Sequence, residues 1–253
     1  MKLTGSLNNQ LQEKPYLHRI ELLERLFQIL DNKEMVMVQP QCWTDPMENI
    51  IFNARITKNG KRFQHPAKDK IYGQCWSYDE DSYALWQIYT TKADANGITK
   101  RHPGVRITTH LDRLHQISEN NKGLFYYGVV YYLTQKELFG LPKNEAFVKC
   151  LMSDEINEDQ VKSLLIKRNS YNYEKEVRLL AVPDESLVDS KNRRICRIKI
   201  DPLDFISSVR LDPSLTIAEA KELKSKLVDQ YGFKPTVVKQ STLGRQNKLI
   251  FKL

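Results

Sequence analysis

Apolar and polar positions group along this chain into short patterned stretches. Leu22, Leu23, Leu26, Phe27, Ile29 and Leu30 recur at the spacing of one helix face, and the stripe breaks at Asp31-Asn32. That spacing predicts a helix over residues 20–30. Met35, Val36, Met37 and Val38 then read as a short buried strand stopped by Pro40. Residues 71–76 read as a second strand, and 82–89 as a short helix with Leu85, Trp86 and Tyr89 on one face. Residues 105–109 alternate apolar and polar, which predicts a half-buried strand. The longest strongly apolar run, 124–133, holds one glycine and four tyrosines and reads as a central strand. A helix is expected around 158–165. Residues 177–182 and 195–200 look like adjacent strands joined by a polar loop with Pro183 and Asp184, and 205–211 like a strand ended by Asp212-Pro213. Thr216 followed by Glu219 forms a capping box, in which each side chain satisfies a free amide at a helix start. That helix runs to Tyr231, Gly232 supplies a left-handed turn, and 236–239 is a last strand.

Strands outnumber helices and do not alternate strictly with them. The expected fold is therefore α+β, with a mixed, mostly antiparallel sheet and flanking helices, rather than a doubly wound one. Residues 1–14 are polar and are expected to form a flexible segment, which leaves 15–253 as a single α+β domain.

Composition narrows the class. With 253 residues, 41% hydrophobic, 28% charged, 10 Gly and 10 Pro, the chain is ordinary globular protein, which excludes a disordered, collagen-like or coiled-coil chain. No apolar run approaches the ~20 residues of a membrane-spanning helix. The first residues lack the apolar core of a secretory signal. The expectation is a cytoplasmic protein without a membrane partner. Net charge is +8, distributed as −2 over 1–50, +5 over 51–118, −3 over 119–160 and +8 over 161–253. The basic segments suit either a surface that attracts the phosphates of a nucleic acid or a small ligand, or a plain solvated face.

Much chemistry is excluded by absence. The cysteines at 42, 75, 150 and 196 form no CxxC pair, and His110 and His115 miss the i, i+4 spacing of a helical zinc pair, so no metal is expected. There is no GxGxxG, Walker, GxSxG or HExxH motif. A nuclease using paired acids and a lysine needs Glu-x-Lys, and Glu174-Lys175-Glu176 has the order wrong.

Four clusters remain. Trp43-Thr44-Asp45-Pro46-Met47-Glu48 is a polar turn after a buried strand, and its Asp45 before Pro46 is also ordinary turn chemistry. Gly73-Gln74-Cys75-Trp76-Ser77 is followed by Trp86 and Tyr89, three apart on a helix; Ser77 with these rings suits a planar ligand, and equally suits a packed helix with a turn serine. Lys167-Arg168 precedes Tyr173-Glu174-Lys175-Glu176-Val177-Arg178. On extended backbone, Glu174, Glu176 and Arg178 face one side, either as a site or as a charged surface strand. Arg106 lies inside the 105–109 strand, and His18-Arg19 precede the first helix. A half-buried arginine needs an anion, which Glu176, Asp45 or a ligand phosphate would supply.

In this order the clusters resemble the bacterial domain of unknown function 2971 family, with its Phe-Asn-Asp-Pro-x-Glu turn, Cys-Trp-Ser strand end, Met-Trp-x-x-Tyr helix and late Glu-x-Glu-x-Arg strand. The match runs from about Tyr16 to Leu243; Thr44 stands for the usual Asn and Leu85 for the usual Met. The layout is also similar to that of ADP-ribosyltransferases: Tyr16-Leu17-His18-Arg19 as first element, Ser77 with Tyr89 as second, and Glu174-Lys175-Glu176-Val177 as third. That resemblance implies NAD as substrate and a macromolecular acceptor, nucleic acid or protein, or, in the close variant of an NAD glycohydrolase, water. It also implies a role as toxin or antiphage effector, with a neutralising or effector partner protein. It makes Glu176 the carboxylate that grips the ribose and Glu174 the group that positions or deprotonates the acceptor. Ser77, Trp86, Tyr89 and Arg178 would bind the dinucleotide, and the first element's role there would fall to His18, Arg19 or Arg106. Ser77, Tyr89, Arg106 and Glu176 are then expected to line one cleft. The rival expectation is a non-catalytic nucleic-acid-binding or adaptor protein.

Overall fold

Apolar stretches too short for helices satisfy their backbone by pairing side by side. In the computed structural model they do so in two units, each assembled from three separated stretches of the chain. The structure describes residues 1–3, 9–43, 45–53, 56–58, 61–63, 67–94, 96–151 and 156–243. Unit 1 comprises Met1–Leu17, Glu34–Tyr78 and His110–Ile200; unit 2 comprises His18–Lys33, Asp79–Thr109 and Asp201–Leu253.

In unit 1 the strands follow the order Lys2–Leu3, Gly123–Val129, Glu176–Pro183, Tyr72–Ser77, Glu34–Val38, Ile195–Lys199. The first pair is parallel and the others antiparallel. Glu176–Pro183 is buried from Glu176 to Ala181, because it is paired on both edges and covered on both faces. Leu180 joins a core with Phe52, Ala67, Ile71, Val161, Leu164 and Leu165, against which Trp43, Tyr126 and Phe147 pack. Gly123 opens its strand at φ 136°, a backbone region open to glycine, and a Cβ there would lie 2.7 Å from the Val182 carbonyl oxygen. The helix Glu158–Ser163 begins at an Asn157–Gln160 capping box and delivers Leu164 and Leu165 to the core.

In unit 2 the strands are Tyr16–Leu22, which enters it at His18, then Gly104–His110, Ser208–Leu211 and Val238–Gln240, in that spatial order. Ser208–Leu211 runs antiparallel to Gly104–His110 and parallel to Val238–Gln240. Helices Leu23–Asn32, Tyr83–Thr90 and Ile217–Asp229 accompany them. Thr216 and Glu219 form the expected capping box, and Gly232 takes φ 80°. The fold is α+β, with mixed, mostly antiparallel pairing and flanking helices.

Several expected elements are corrected. Ile20 to Leu22 belong to a strand, and the helix starts at Leu23: Ile20 and Leu22 are buried on the strand's period of two, which overrides the helical stripe. The run 124–133 splits. Gly123–Val129 pairs with Glu176–Pro183, whereas Tyr131–Leu133 leaves to pair in parallel with Ile166–Arg168. Ile195–Lys199 pairs with Glu34–Val38 instead of with the strand it was expected to join. Gly104 to Thr109 are all buried, so Arg106, Thr108 and Thr109 face no solvent. Apart from these corrections, Lys2–Leu3 is a strand and Asn9–Glu13 a helix with Leu11 fully buried. Among the described residues no helix is long and apolar enough to cross a membrane.

Candidate active site

Three pieces of unit 1 converge on a single buried ammonium. The Tyr131–Leu133 and Ile166–Arg168 pair sets Lys167 opposite Tyr132. The Pro46–Asn49 turn supplies Glu48. Its position is fixed by Asp45, which accepts two bonds from the Arg168 guanidinium at 2.8 and 2.9 Å and one from the Met47 amide at 3.0 Å. The third piece is the entry to the Glu176–Pro183 strand. Asn169–Glu174 is a 3-10 segment that ends at Lys175 in the left-handed region, φ 47° and ψ 52°. Glu174 therefore reaches the side occupied by Glu176 and Arg178 through a turn, where extended backbone was expected to bring it.

Lys167 Nζ lies 2.8 Å from Glu174, 3.0 Å from Glu176 and 3.1 Å from Glu48. Arg178 is wholly buried and donates from Nε to Glu176 at 2.8 Å, from Nη2 to Glu48 at 2.7 Å and to Glu176 at 3.2 Å, and from Nη1 to the Leu164 carbonyl. Its guanidinium stacks on the Trp43 ring at 4.3 Å. The Tyr132 hydroxyl accepts the Glu176 amide hydrogen at 2.8 Å. Ser77 pairs with Glu176 in register, and its Oγ donates to the Glu174 carbonyl at 2.7 Å.

Among the described residues this cluster sets three carboxylates, Glu48, Glu174 and Glu176, against two cations, Lys167 and Arg178. With all five ionised it carries one net negative charge out of bulk water. Such a charge is costly unless a proton or a cation joins it. Burial pushes the Glu176 carboxyl up, but Arg178 and Lys167 outweigh burial and bring it down to about 2. Burial also acts on Glu48 and Glu174 and there prevails, so both sit above the ordinary carboxylate value despite their cations. Burial opposes the charge on Lys167, yet Glu176, Glu48 and Glu174 together hold it protonated. One carboxylate is thus held ionised by its cations, and the other two give up their protons less readily than an ordinary carboxyl group.

Of the sequence-predicted site residues, Ser77, Glu174, Glu176 and Arg178 are brought together in unit 1. Ser77 is buried instead of presenting an exposed hydroxyl, and the cap of helix Tyr83–Thr90 is Ser82. His18, Arg19, Trp86, Tyr89 and Arg106 belong to unit 2. There His18 Nδ1 meets Thr108 Oγ1 at 2.9 Å, and burial with Arg106 nearby lowers its pKa to about 3. Arg106 is buried and finds its anions in Asp81 at 3.2 Å and Glu80 at 3.7 Å, in place of Glu176 or Asp45; its Nε has no partner among the described residues. Arg19 pairs with Glu21. Trp86 is fully buried with Ile20 and Leu85, so its ring packs within protein, whereas Tyr89 is 42% exposed. Thr44 lies outside the described residues.

Glu48, Lys167, Tyr132 and Trp43 carry more of the site than the sequence suggested. Glu48 closes the Trp43–Glu48 turn, in which Asp45 before Pro46 carries the stronger local signal. Lys167 had a signal: it closes the apolar run Leu164-Leu165-Ile166, a place where a lysine head needs buried partners. Among the described residues no group of three or more His, Cys, Asp or Glu side chains is arranged to hold a metal ion.

No protein-family model and no curated protein matches the chain, so the likeness to the domain of unknown function 2971 family rests on its motifs. Among solved structures, the chain is similar to DarT of Thermus sp. 2.9 in complex with ADP-ribosylated single-stranded DNA, at TM-score 0.41 and 10% identity, over 94% of this chain and 97% of that one. It is also similar to the same protein in complex with NAD+, at TM-score 0.39 and 10% identity, over 90% and 96% of the two chains. At these TM-scores the functional reading rests on the side chains of the site.

Proposed function

We propose that the protein is an NAD-dependent ADP-ribosyltransferase-type enzyme acting on a macromolecular acceptor, and that the Glu48–Lys167–Glu174–Glu176–Arg178 cluster is its catalytic centre. The observation that carries this reading is the set of three buried carboxylates against two cations, held at the start of a strand paired on both edges. Breaking the bond from ribose to nicotinamide releases neutral nicotinamide and leaves positive charge on the ribose. A fixed anion whose field is preorganised stabilises that charge without reorganising. Glu176, kept ionised by Arg178 and Lys167, supplies the field. Glu174, raised above the ordinary carboxylate value, takes the proton that the acceptor nucleophile loses as it bonds to the ribose carbon. The cationic nicotinamide ring of the intact dinucleotide suits the same charge. Ser77 holds the Glu174 backbone through its hydroxyl.

One observation favours a second reading, a non-catalytic nucleic-acid-binding or adaptor protein. The Glu176 oxygens already accept from Arg178 Nε, Arg178 Nη2 and Lys167, as a purely structural carboxylate would. NAD labelled on its adenylate half separates the two. Incubated with the protein and with single-stranded DNA, RNA or cell lysate, it transfers label on the enzyme reading, and Glu174→Gln abolishes transfer while melting near the wild-type temperature. Absence of both labelled acceptor and free nicotinamide, with no effect of NAD on melting, sinks the enzyme reading.

A further inference from the structure

The ammonium of Lys167 is a compact point charge with three donors, and each has a carboxylate oxygen between 2.8 and 3.1 Å away. Its stem is locked. Lys167 is buried, its backbone is paired with Tyr132, and Leu164 and Leu165 before it are packed in the core. The groups facing it are Glu48 from the turn, Tyr171, Tyr173 and Glu174 from the 3-10 segment, Glu176 from the strand and Tyr132 from the paired strand, while Arg178 and the Cys75 thiol of Tyr72–Ser77 act on the same Glu176 carboxyl. Glu48 and Glu176 also pair with Arg178, so Lys167 is the cation that all three carboxylates share among the described residues.

We propose that Lys167 is a positioning residue for the two working carboxylates: by tying Glu174, Glu176 and Glu48 to one point, it fixes their separation and divides its charge among them. The catalytic consequence rests on the transferase reading; the electrostatic one does not. Glu48 acts here as a competitor. Each share of the ammonium it takes is lost to Glu174, which keeps Glu174 basic enough to accept a proton.

The test is a titration of glutamate side chains by carboxyl-carbon NMR, on the full chain of wild type, Lys167→Met, Lys167→Arg and Glu48→Gln. In Lys167→Met the midpoints of Glu174 and Glu176 move up by roughly one to three pH units, since a charge within hydrogen-bonding distance has been lost. Lys167→Arg returns both most of the way. In Glu48→Gln the Glu174 midpoint moves down. Unmoved midpoints in Lys167→Met overturn the proposal, and if that variant does not fold, an unmoved Glu174 midpoint in Glu48→Gln does so. Nicotinamide release from NAD by the same variants separates the two layers. With an active wild type, the acid limb of the pH–rate profile follows the Glu174 midpoint from variant to variant, and a limb that stays put while the midpoint moves overturns the positioning role. A wild type that releases nothing at any pH removes the transferase reading, while the midpoints still decide the place of Lys167.

Discussion

Replacing Arg178 with methionine keeps a long apolar stem against Trp43 and removes the guanidinium. Glu176 loses two donors, Glu48 loses one, and the Leu164 carbonyl loses its side-chain donor. All of these groups are buried, so little water reaches them. Removing one partner of a buried ion pair costs about 3–5 kcal/mol, because the other charge is left behind. For chains of this size each kcal/mol lowers the melting temperature by roughly 2–4 °C, which gives a fall of about 6–20 °C. The pH dependence has a definite sign. In the wild type the Glu176 carboxyl sits at about 2, below its ordinary 4.5, so it contributes stability above the ordinary value that is lost as pH falls toward 2. Without Arg178, burial is no longer outweighed and the same carboxyl rises above its unfolded value. A carboxyl raised in that way favours the folded state at low pH and disfavours it as pH climbs through the folded value. The gap between the two melting temperatures is therefore widest at about pH 7 and narrows toward about pH 4. Melting curves by circular dichroism across that range measure it. A gap of about 1 °C, or one that stays constant with pH, would refute the account of the cluster as a buried, mutually dependent charge set.

Two further outcomes follow from other parts of the molecule. His18, lowered to about 3 by burial and by Arg106, stays neutral throughout the physiological range; its imidazole carbon resonances are flat from about pH 5 to 8, and acid below the ordinary 6.5 destabilises the fold through it, because only the unfolded chain then takes up the proton. Gly123→Ala forces a Cβ against the Val182 carbonyl oxygen and the Pro183 Cα at φ 136°, and it lowers stability by about 1–3 kcal/mol in urea melts, where a neutral result would mean that the strand start relaxes freely.

The sequence was most legible where one element's chemistry is local. The capping box at Thr216 and Glu219, the left-handed Gly232 and the strand entered at Glu176 all follow from residues adjacent in the chain. Pairing was less legible. Ile195–Lys199 follows Glu176–Pro183 in sequence but pairs with Glu34–Val38, and no local pattern encodes that partner. The amphipathic stripe near Leu22 satisfied a helix and a strand equally until burial chose between them. In the site, the spacing of Glu174, Glu176 and Arg178 placed them on one side, and they do meet. Glu48, the carboxylate that completes the cluster, lies 130 positions from Arg178, and a distance of that kind leaves no trace in spacing. Trp86 shows the opposite failure: an aromatic at helical spacing reads the same whether it faces a ligand or a core.

The interleaving of the two units bears on how the gene can be cut. Because each unit draws on three stretches, no single truncation point releases either one free of the other. Ending the chain after Ile200 keeps every stretch of unit 1. It deletes from unit 2 the strand Ser208–Leu211 that pairs with Gly104–His110, the long helix Ile217–Asp229 and the strand Val238–Gln240. The strands Tyr16–Leu22 and Gly104–His110 would still neighbour each other, but Gly104–His110 would lose the strand on its other edge. Fragment libraries and insertional screens should therefore tolerate breaks poorly across most of the coding sequence. Transplanting either unit into another protein would require three grafts in concert.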